Sequence, residues 1–518
     1  MEQTSKKTQA ETEEDKKNYA NQGRRYLGNK ETFGYVLFRA SQDFGINGYA
    51  DRFIFDVLHI DFAYLALVNT IGGIWDVIND PLFGAIVDKT RTRWGKFKPY
   101  LILFAIPGTI GTCLYWMMPL FFPHKSAMDV GKFVFYFALA VGRETAGTFS
   151  GISQTGMLAT ITPDPIERTR LITITNVLSG FLGAKIPELL MTVLIDAVNH
   201  NTIAVSMQGV YVFMGVFTTL VGGGAALYFS IITRERVMQS IERPSILQGL
   251  KSIFNNKPIL LMTLSDFLGS FAIGTGMSNY YIDVLGTASI VIIVGIPGFF
   301  VSTPSYAWVP WARRHFSTKV LWLVSSYCGD FLMALVFFFG AIGGKKNGLY
   351  KRKLPMIGAI MLQETLSMFV YGIGKVIPTE MYNEAMDYCE WKNGYRTEGM
   401  TSVARGLASK LVRIAGGTLR SLLMKAFGYE QGAGFLKQSD NTKFFLFAMS
   451  TIVPFITGSL GIIPKLFYDL TGKRRDKMYE DLLSRRAQVS KDASTGNSED
   501  LARAAEFQMK IDSKQSLD

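Results

Sequence analysis

The sequence predicts an all-α membrane protein with about twelve transmembrane helices in two six-helix bundles. Of its 518 residues, 48% are hydrophobic and 13% are aromatic, and the apolar residues are gathered into long runs. Many of these runs reach the roughly 20 residues that a helix needs to cross the hydrocarbon core of a bilayer. Charged residues are concentrated at the two ends of the chain and between the runs. The alternative is a large soluble protein with buried helices, and the repeated spanning length argues against it.

The apolar runs give the order of the elements. Two clear examples are LILFAIPGTIGTCLYWMMPLF from residue 101 and VYVFMGVFTTLVGGGAALYFSII from residue 210. The span from residue 33 is the weakest, because Arg39, Asp43 and Asp51 interrupt it. The 50 glycines suit helices that pack closely in lipid. We expect spans that start near residues 33, 63, 101, 131, 170, 208, 258, 287, 320, 355, 400 and 443.

The net charge of +12 indicates membrane topology rather than nucleic-acid binding, because cytoplasmic loops of membrane proteins carry an excess of Lys and Arg. An even number of spans places both termini on one side of the membrane. The connections after spans 2, 6 and 8 share that side and are basic: DKTRTRWGKFK, TRERVMQSIERPS and ARRHFSTK. We therefore predict a multi-pass protein of the cell membrane whose termini are both cytoplasmic.

The connection after span 9 breaks this rule. Its sequence is GGKKNGLYKRKLP, and it should lie outside although it holds five Lys or Arg residues. Either this loop tolerates the charge, or the count of spans slips by one at this point.

Polarity divides the chain into five regions. The N-terminal segment has no apolar core, so we expect no cleavable signal peptide. Two groups of six spans, separated by a basic loop, match the layout of transporters that bind substrate near the bilayer midplane between two bundles. The regions are a cytoplasmic N-terminal segment (1–30), an N-terminal six-helix bundle (31–233), a central cytoplasmic loop (234–257), a C-terminal six-helix bundle (258–470) and a cytoplasmic tail (471–518).

Span 2 carries two carboxylates inside an apolar run. Asp76 and Asp80 are four residues apart, so in a helix both project from one face. An ionised carboxylate at the bilayer centre costs at least about 2.5–3.5 kcal/mol, and two neighbouring carboxylates repel, which raises their affinity for protons or metal cations. Asn79 adds an amide oxygen on nearly the same side, and hard cations such as sodium prefer oxygen ligands. We predict a cation site here; the alternative is a solvated face or a salt bridge to another span.

A second pattern follows at the end of span 2. Gly84, Asp88 and Lys89 form G-x-x-x-D-[RK], which is similar to the cytoplasmic loop signature of the major facilitator superfamily. A glycine lets two helices approach, and an aspartate at the membrane edge can pair with basic residues such as Arg93 and so latch the inward face shut. Simple anchoring of a basic loop at the cytoplasmic surface is the alternative.

Three longer stretches carry a family resemblance: IWDVINDPLFGAIVDKTRTRWGKFKPY (74–100), TITPDPIERTRL (160–171) and EMYNEAMDYCEWKNGYRTEGM (380–400). They resemble the helix-2 signature, the block after helix 4 and the loop between helices 10 and 11 of the glycoside–pentoside–hexuronide:cation symporter family. The resemblance covers almost the entire chain between its polar ends. It implies the major facilitator fold and cation-coupled transport of a sugar.

The resemblance also implies the residues of the cation site. The family's paired helix-2 aspartates, which bind the coupling cation, match Asp76 and Asp80, and the neighbouring asparagine matches Asn79. A helix-4 threonine that contributes to this site matches Thr148. If the coupling cation is sodium, the two aspartates are its expected metal ligands.

The sugar site implied by the resemblance is only partly preserved. A helix-1 aspartate important for sugar binding matches Asp43, and a helix-11 lysine close to both sites matches Lys410. The family's sugar-binding helix-4 aspartate, a helix-5 arginine and a tryptophan beside the sugar fall on Gly151, Asn176 and Thr155. The coupling half of the site is therefore intact, whereas the sugar half is rebuilt.

We predict a secondary active transporter, not an enzyme, that carries a sugar or glycoside in symport with a cation by alternating access. No cofactor is expected besides the coupling cation, which the carboxylate pair leaves open as Na+, Li+ or H+. Lys410 and Arg413 share a face of span 11 and leave room for a hexuronide, whereas Asp43 favours a neutral glycoside. The expected partners are the small-molecule sugar, the monovalent cation and membrane lipid, with no nucleic acid, and we expect a monomer.

Other function classes fit the sequence less well. Within transport, the alternative is a facilitator-type carrier of a non-sugar organic anion or amphiphile. A membrane-embedded enzyme is disfavoured because the sequence has no H-E-x-x-H, no nucleophile elbow and no clustered histidines. Cys113, Cys328 and Cys389 are far apart and suggest neither a disulfide framework nor a zinc site. A channel is disfavoured because the two-bundle layout and the paired carboxylates favour alternating access.

Overall fold

Helices make up the fold of the computed structural model. The described residues form no β-strand, and one isolated bridge pairs Thr92 with Gly95. The structure describes residues 27–90, 92–123, 126–162, 167, 170–172, 174–175, 183, 185–236, 254–271, 273–393 and 398–494. The principal helices are α1 (Asn29–Asp43), α2 (Phe62–Lys89), α3 (Lys98–Phe121), α4 (Val130–Thr160), α5 (Ile186–Asn199), α6 (Met207–Ile232), α7 (Lys257–Gly269), α8 (Met277–Asp283), α9 (Ile290–Ser302), α10 (Val309–His315), α11 (Thr318–Ala341), α12 (Lys353–Met368), α13 (Tyr371–Asn393), α14 (Glu398–Ala426), α15 (Asp440–Gly458), α16 (Ile462–Leu466) and α17 (Lys473–Ser494).

The first compact unit comprises residues 1–241 together with 430–434. It contains α1 to α6, in which α3 packs against α4 and α6, α2 packs against α4, and α1 packs against α6. The first span is broken after α1, and the chain continues through short helical turns to a π-helical turn at Ile54–Leu58. The break follows Asp43, one of the charged residues that interrupt the apolar run.

Aromatic stacking holds α2, α3 and α4 together. The ring of Phe149 on α4 stacks on Phe83 of α2 with 4.3 Å between centroids. It also stacks on Phe104 and Tyr100 of α3, at 4.3 Å and 5.3 Å. Such aromatic pairs contribute about 0.5–1.5 kcal/mol each beyond their buried area. Because Phe149 directly follows Thr148, this cluster fixes the rotation of α4 that presents Thr148.

A glycine permits the close contact of α6 with α3. A Cβ atom on Gly215 would lie 2.3 Å from the ring of Trp116, which is fully buried. The same indole packs on Phe53, beyond the break in the first span, at 4.8 Å between centroids. A larger residue at position 215 would therefore push α6 away from α3.

The second compact unit comprises residues 242–429 and 435–518 and contains α7 to α17. Several of its spans are interrupted: a short turn joins α9 to α10, two residues separate α12 from α13, and another turn joins α15 to α16. The tail helix α17 belongs to this unit's core, because Met478 and Leu482 are buried in one cluster with Trp322 of α11.

The observed helices confirm the predicted all-α membrane fold. They begin within a few residues of the expected starts, and the span from residue 170 lies largely outside the described residues. Among the described helices, six segments are long and apolar enough to cross a membrane, and a bent pair over 440–466 makes a seventh. Others carry charges in the span, such as Arg39 in α1 and Arg143 in α4. The six are Phe62–Gly84, Lys98–Phe121, Met207–Ile232, Ile290–His315, Thr318–Ala341 and Lys353–Lys392.

The segment expected to be a loop between helices 10 and 11 is largely helical. The family resemblance implies this loop over residues 380–400, but α13 continues to Asn393 and α14 begins at Glu398. The physical reason is an apolar helix face, because Met381, Ala385 and Tyr388 are all buried and recur at helical spacing. The prediction of a loop over the whole block was wrong.

The basic connection after span 9 lies between two helices. Helix α11 ends at Ala341, the connection follows, and α12 begins at Lys353. The connection is ordered around Tyr350, whose ring is fully buried and stacks on Phe447 of α15 at 5.1 Å.

Candidate functional site

The two predicted carboxylates lie on one continuous helix, α2. The side chain of Asp61 begins this helix by accepting a hydrogen bond from the backbone N–H of Ala63 at 2.8 Å. Asp76 and Asp80 are both partly exposed, whereas Asn79 is fully buried. The helix spacing places the carboxylates on one face with the amide beside them.

Pro81 changes the backbone of α2 directly after Asp80. Proline has no N–H group, so the carbonyl oxygen of Val77 lacks its usual helical donor four residues later. The turn that carries the carboxylates therefore also offers a backbone oxygen. Carboxylate, amide and carbonyl oxygens are the ligand types that hard cations prefer.

A hydrogen bond joins this turn to α4. The hydroxyl of Thr148 donates to Oδ1 of Asn79 at 3.1 Å. One turn earlier on both helices, the indole N–H of Trp75 donates to the hydroxyl of Thr145, also at 3.1 Å. The two bonds fix α2 against α4, and they bring together two residues that the family resemblance assigns to one cation site.

The amide of Asn79 is incompletely satisfied. Its Nδ2 is buried and has no hydrogen-bond partner among the described residues. A buried polar group without a partner costs about 1–3 kcal/mol, so its position points to a role beyond packing. Among the described residues, no group of three or more His, Cys, Asp or Glu side chains lies close enough to hold a metal ion. A cation at this turn would therefore depend on the aspartate pair together with neutral oxygens.

The predicted sugar-site residue Asp43 is the last residue of α1. Its side chain is exposed. The preceding residue, Gln42, accepts a hydrogen bond at 3.0 Å from the amide of Gln154 on α4. A Cβ atom on Gly183 would lie 2.5 Å from the carbonyl oxygen of Ala40, so the end of α1 also touches the chain after α4 closely. These contacts place Asp43 at the junction of α1 and α4.

Helix α4 presents open space beside the cation site. A Cβ atom added to Gly151 or to Gly147 would meet no atom of the described residues within 4 Å. Gly151 lies one turn after Thr148 on the same helix, and it stands where the family has a sugar-binding aspartate. The loss of that side chain therefore enlarges the space next to α4.

The other predicted substrate residues lie in the second unit or at positions whose side chains the structure does not describe. Lys410 lies on α14 of the second unit and is partly exposed. Thr155 lies on α4, but its side chain is outside the described part of the chain, and Asn176 is outside it altogether. Their membership of a sugar site stays a prediction.

The gating residues occupy the end of α2 and the connection to α3. Gly84 is buried in α2. Asp88 lies in the last turn of α2, and its side chain is outside the described residues. Arg93 is exposed, with its guanidinium 5.1 Å from the centre of the Trp94 ring. The latch between Asp88 and the basic run stays a prediction.

A carboxylate that the sequence did not single out holds this connection. Glu235, which follows α6, accepts hydrogen bonds from the backbone N–H groups of Lys96, Phe97 and Lys98 at 2.9, 2.7 and 2.8 Å. These N–H groups lie at the start of α3, where a negative charge is favourable. The signal in the sequence is a single glutamate within the basic stretch TRERV.

A neighbouring ion pair fixes the end of α6 to α1. The guanidinium of Arg236 donates to the carboxylate of Glu31 at 2.6 Å. This hydrogen bond raises the pKa of Arg236 above its ordinary value. Burial of the guanidinium lowers the pKa, but by less than the hydrogen bond raises it. The pair ties the start of α1 to the end of α6.

Comparisons with known proteins identify the family and the fold of this chain. A model of the family described as MFS/sugar transport protein matches residues 39–472. The isoprimeverose transporter of Lactiplantibacillus pentosus is 26% identical over 475 residues, which cover 88% of this chain and 92% of that protein. A glucuronide carrier protein homolog of Escherichia coli (strain K12) is 22% identical over 380 residues, covering 72% and 78%. A solved D-xylose–proton symporter matches with a TM-score of 0.52 at 13% identity, covering 85% of this chain and 95% of that chain, which is a likeness of fold alone.

Proposed function

Because the chain belongs to the MFS/sugar transport protein family, we propose that it moves a sugar or glycoside together with a monovalent cation by alternating access. Membership of that family makes the chain a multi-pass membrane transporter and not an enzyme. One observation carries the coupling proposal. The hydrogen bond from Thr148 to Asn79 joins the carboxylate-bearing turn of α2 to the helix that presents the open glycine face.

We assign cation binding to the α2 turn and its α4 neighbour. Asp76 and Asp80 supply the charge, and the side-chain oxygens of Asn79 and Thr148 supply neutral ligands. Two carboxylates in an apolar segment are costly while both are ionised, so a bound Na+, Li+ or H+ relieves both their repulsion and their desolvation. With sodium as the cargo, the two aspartates are the metal ligands.

The position of Gly151 supports coupling between the two cargoes. It lies one turn from Thr148, so a substrate beside Gly151 touches the same face of α4 that contacts Asn79. Binding or release of either the cation or the substrate therefore changes how α4 is rotated and seated against α2. Coupling of this kind is reciprocal, because the cation raises sugar affinity by the same factor as the sugar raises cation affinity.

We infer the substrate class from the charged residues that the family resemblance assigns to the sugar site. Asp43 can accept hydrogen bonds from sugar hydroxyls, and such charge-assisted bonds contribute roughly 1.5–3 kcal/mol each. Lys410 can pair with a uronate. The relatives include both kinds of carrier, one named for isoprimeverose and one for glucuronides. We place a neutral glycoside ahead of a sugar acid, because Asp43 would repel a carboxylate placed nearby.

The orientation and assembly complete the proposal. The basic connections after spans 2, 6 and 8 support cytoplasmic termini in a cell-membrane protein. Transport by alternating access needs one pair of bundles, so a monomer is sufficient.

The test is uptake into proteoliposomes that contain the purified full chain. Labelled neutral glycosides and sugar acids are supplied with an inward gradient of sodium, lithium or protons, and without any gradient. We expect accumulation of one of these sugars above its external concentration, driven by one of the gradients. Equilibration without accumulation under every gradient would contradict symport, and accumulation of a non-sugar organic anion alone would contradict the substrate class.

A further inference from the structure

A cluster of exposed cations lies on the connection between α11 and α12. We call Lys345, Lys346, Arg352 and Lys353 the basic patch, and all four side chains are exposed. Within the part of the chain that the structure describes, no carboxylate forms an ion pair with any of them. The remaining cation of the connection, Lys351, pairs with Asp440 at 2.7 Å. The patch is therefore a concentration of positive charge outside the ion pairs of the described residues, and Asp440 attracts Lys346 only at longer range.

The backbone beneath the basic patch is firmly held. The hydroxyl of Tyr350 donates to the carbonyl oxygen of Lys345 at 2.6 Å, and the hydroxyl of Tyr280 donates to the carbonyl oxygen of Tyr350 at 2.7 Å. The N–H of Leu349 donates to the carbonyl oxygen of Ile342 at 3.0 Å and closes the loop. Because the backbone is already ordered, binding of a ligand to the patch has only a small entropic cost.

An apolar stripe leads along α11 to the basic patch. Its residues are exposed and recur every three or four positions, so they share one helix face. On the α12 side, Leu354 directly follows the patch and is 81% exposed. In a membrane span, an exposed stripe of this kind lies against acyl chains. The stripe consists of Phe331, Leu335, Phe338 and Ile342.

We propose that the basic patch binds the headgroup of an anionic phospholipid whose acyl chains lie along the apolar stripe. Lys and Arg side chains donate charge-assisted hydrogen bonds to phosphate oxygens. A zwitterionic headgroup carries its own cation, which the patch would repel. The lipid also accounts for the basic connection on the side of the membrane where few positive charges are expected, because its phosphate neutralises them.

The test measures lipid binding by the full chain purified in detergent and stripped of lipid. Native mass spectrometry counts bound phosphatidylglycerol or phosphatidylcholine during a titration. The double variant Lys345→Gln/Lys346→Gln should bind phosphatidylglycerol roughly 30-fold more weakly, since each cation near the surface contributes about a fivefold factor. Binding of phosphatidylcholine should not change. The charge-retaining variant Lys345→Arg/Lys346→Arg should bind phosphatidylglycerol like the unaltered chain.

A matched control removes two exposed cations elsewhere. Lys473 and Lys477 are exposed on α17, outside the basic patch and the apolar stripe, and the variant Lys473→Gln/Lys477→Gln should retain phosphatidylglycerol fully. Equal losses in the two double variants would overturn the proposal, because they would reflect net charge alone. Competition with glycerol phosphate distinguishes binding of a lipid from binding of a soluble phosphate. If it displaces phosphatidylglycerol at equal concentration, the patch binds a soluble anion and the proposal is wrong.

Discussion

Glu235, which follows α6, caps the start of α3, and Lys98, in the first turn of α3, caps the end of α6. The carboxylate of Glu235, just after α6, accepts a hydrogen bond at 2.8 Å from the backbone N–H of Lys98 in the first turn of α3. The ammonium group of Lys98 donates to the carbonyl oxygens of Ile231 and Thr233 at the end of α6, at 2.8 and 2.7 Å. Each charge therefore lies at the helix end whose dipole it complements.

Substitution of Glu235 should loosen the start of α3. We expect Glu235→Ala to lower the free energy of unfolding by about 1–3 kcal/mol, because three backbone N–H groups lose their acceptor. Glu235→Gln keeps one acceptor oxygen and should lose less. Chemical denaturation in detergent measures both. The control Glu188→Gln removes one partner of the exposed pair with Lys185 and should change stability by less than about 1 kcal/mol. Equal effects at both positions would show that the capping contributes nothing specific.

The carboxylate pair should be essential for coupling. Asp80→Asn keeps the side-chain shape and removes one charge, so we expect normal folding and insertion but no cation-driven accumulation of sugar. Asp76→Asn should act in the same direction, more mildly. Uptake into proteoliposomes measures accumulation, and Asp476→Asn on the exposed surface of α17 is the charge-matched control. Normal uphill uptake by Asp80→Asn would refute the proposed cation site.

The Thr148–Asn79 hydrogen bond should matter for cation affinity and not only for packing. Thr148→Val removes the donor and leaves the buried Asn79 amide without any partner. We expect the cation concentration for half-maximal uptake to rise about 10-fold or more, which corresponds to a loss of at least about 1.4 kcal/mol. Thr145→Val breaks the parallel bond from Trp75 and is the control for helix packing. If both variants shift the cation dependence equally, Thr148 acts only through the packing of α2 on α4.

Lys410 should discriminate between charged and neutral sugars. Lys410→Gln should weaken uptake of an acidic sugar far more than that of a neutral glycoside, because only the acid loses a partner for its carboxylate. Lys410→Arg retains the charge and should keep more of the acid transport. The measurement is the concentration of each sugar at half-maximal uptake. Equal losses for both sugars in Lys410→Gln would assign the lysine to cation coupling or to structure.

Asp88 should affect gating without releasing the connection between α2 and α3. Glu235 already holds that connection through backbone hydrogen bonds, so Asp88→Ala should leave its anchoring intact. We expect the variant to favour inward-open states, seen as greater labelling of cysteines introduced on the cytoplasmic side and less on the opposite side. Unchanged labelling on both sides would leave membrane anchoring as the only role of the basic run.

Local sequence patterns account for much of the fold and for part of the site. Hydropathy located the helices within a few residues, because burial in lipid depends mainly on the composition of each segment. The spacing of Asp76 and Asp80 placed them on one face, because the period of a helix is fixed. The family resemblance assigned Thr148 to the same site. The resemblance also implied a loop over 380–400, but the buried apolar face of this segment keeps it helical as far as Asn393.

By itself, the sequence determined an all-α membrane transporter with a carboxylate pair on helix 2, since hydropathy and helix periodicity are properties of single segments. Only the tertiary structure decided which side chains meet. The bond between Thr148 and Asn79 joins residues 69 positions apart, and the cap of Glu235 on the α3 backbone spans 137 to 139 positions. Such pairs depend on the rotation and depth of two helices relative to each other. Those quantities are set by packing, here by the Phe149 stack and the glycine contact at Trp116, and neither helix encodes them alone.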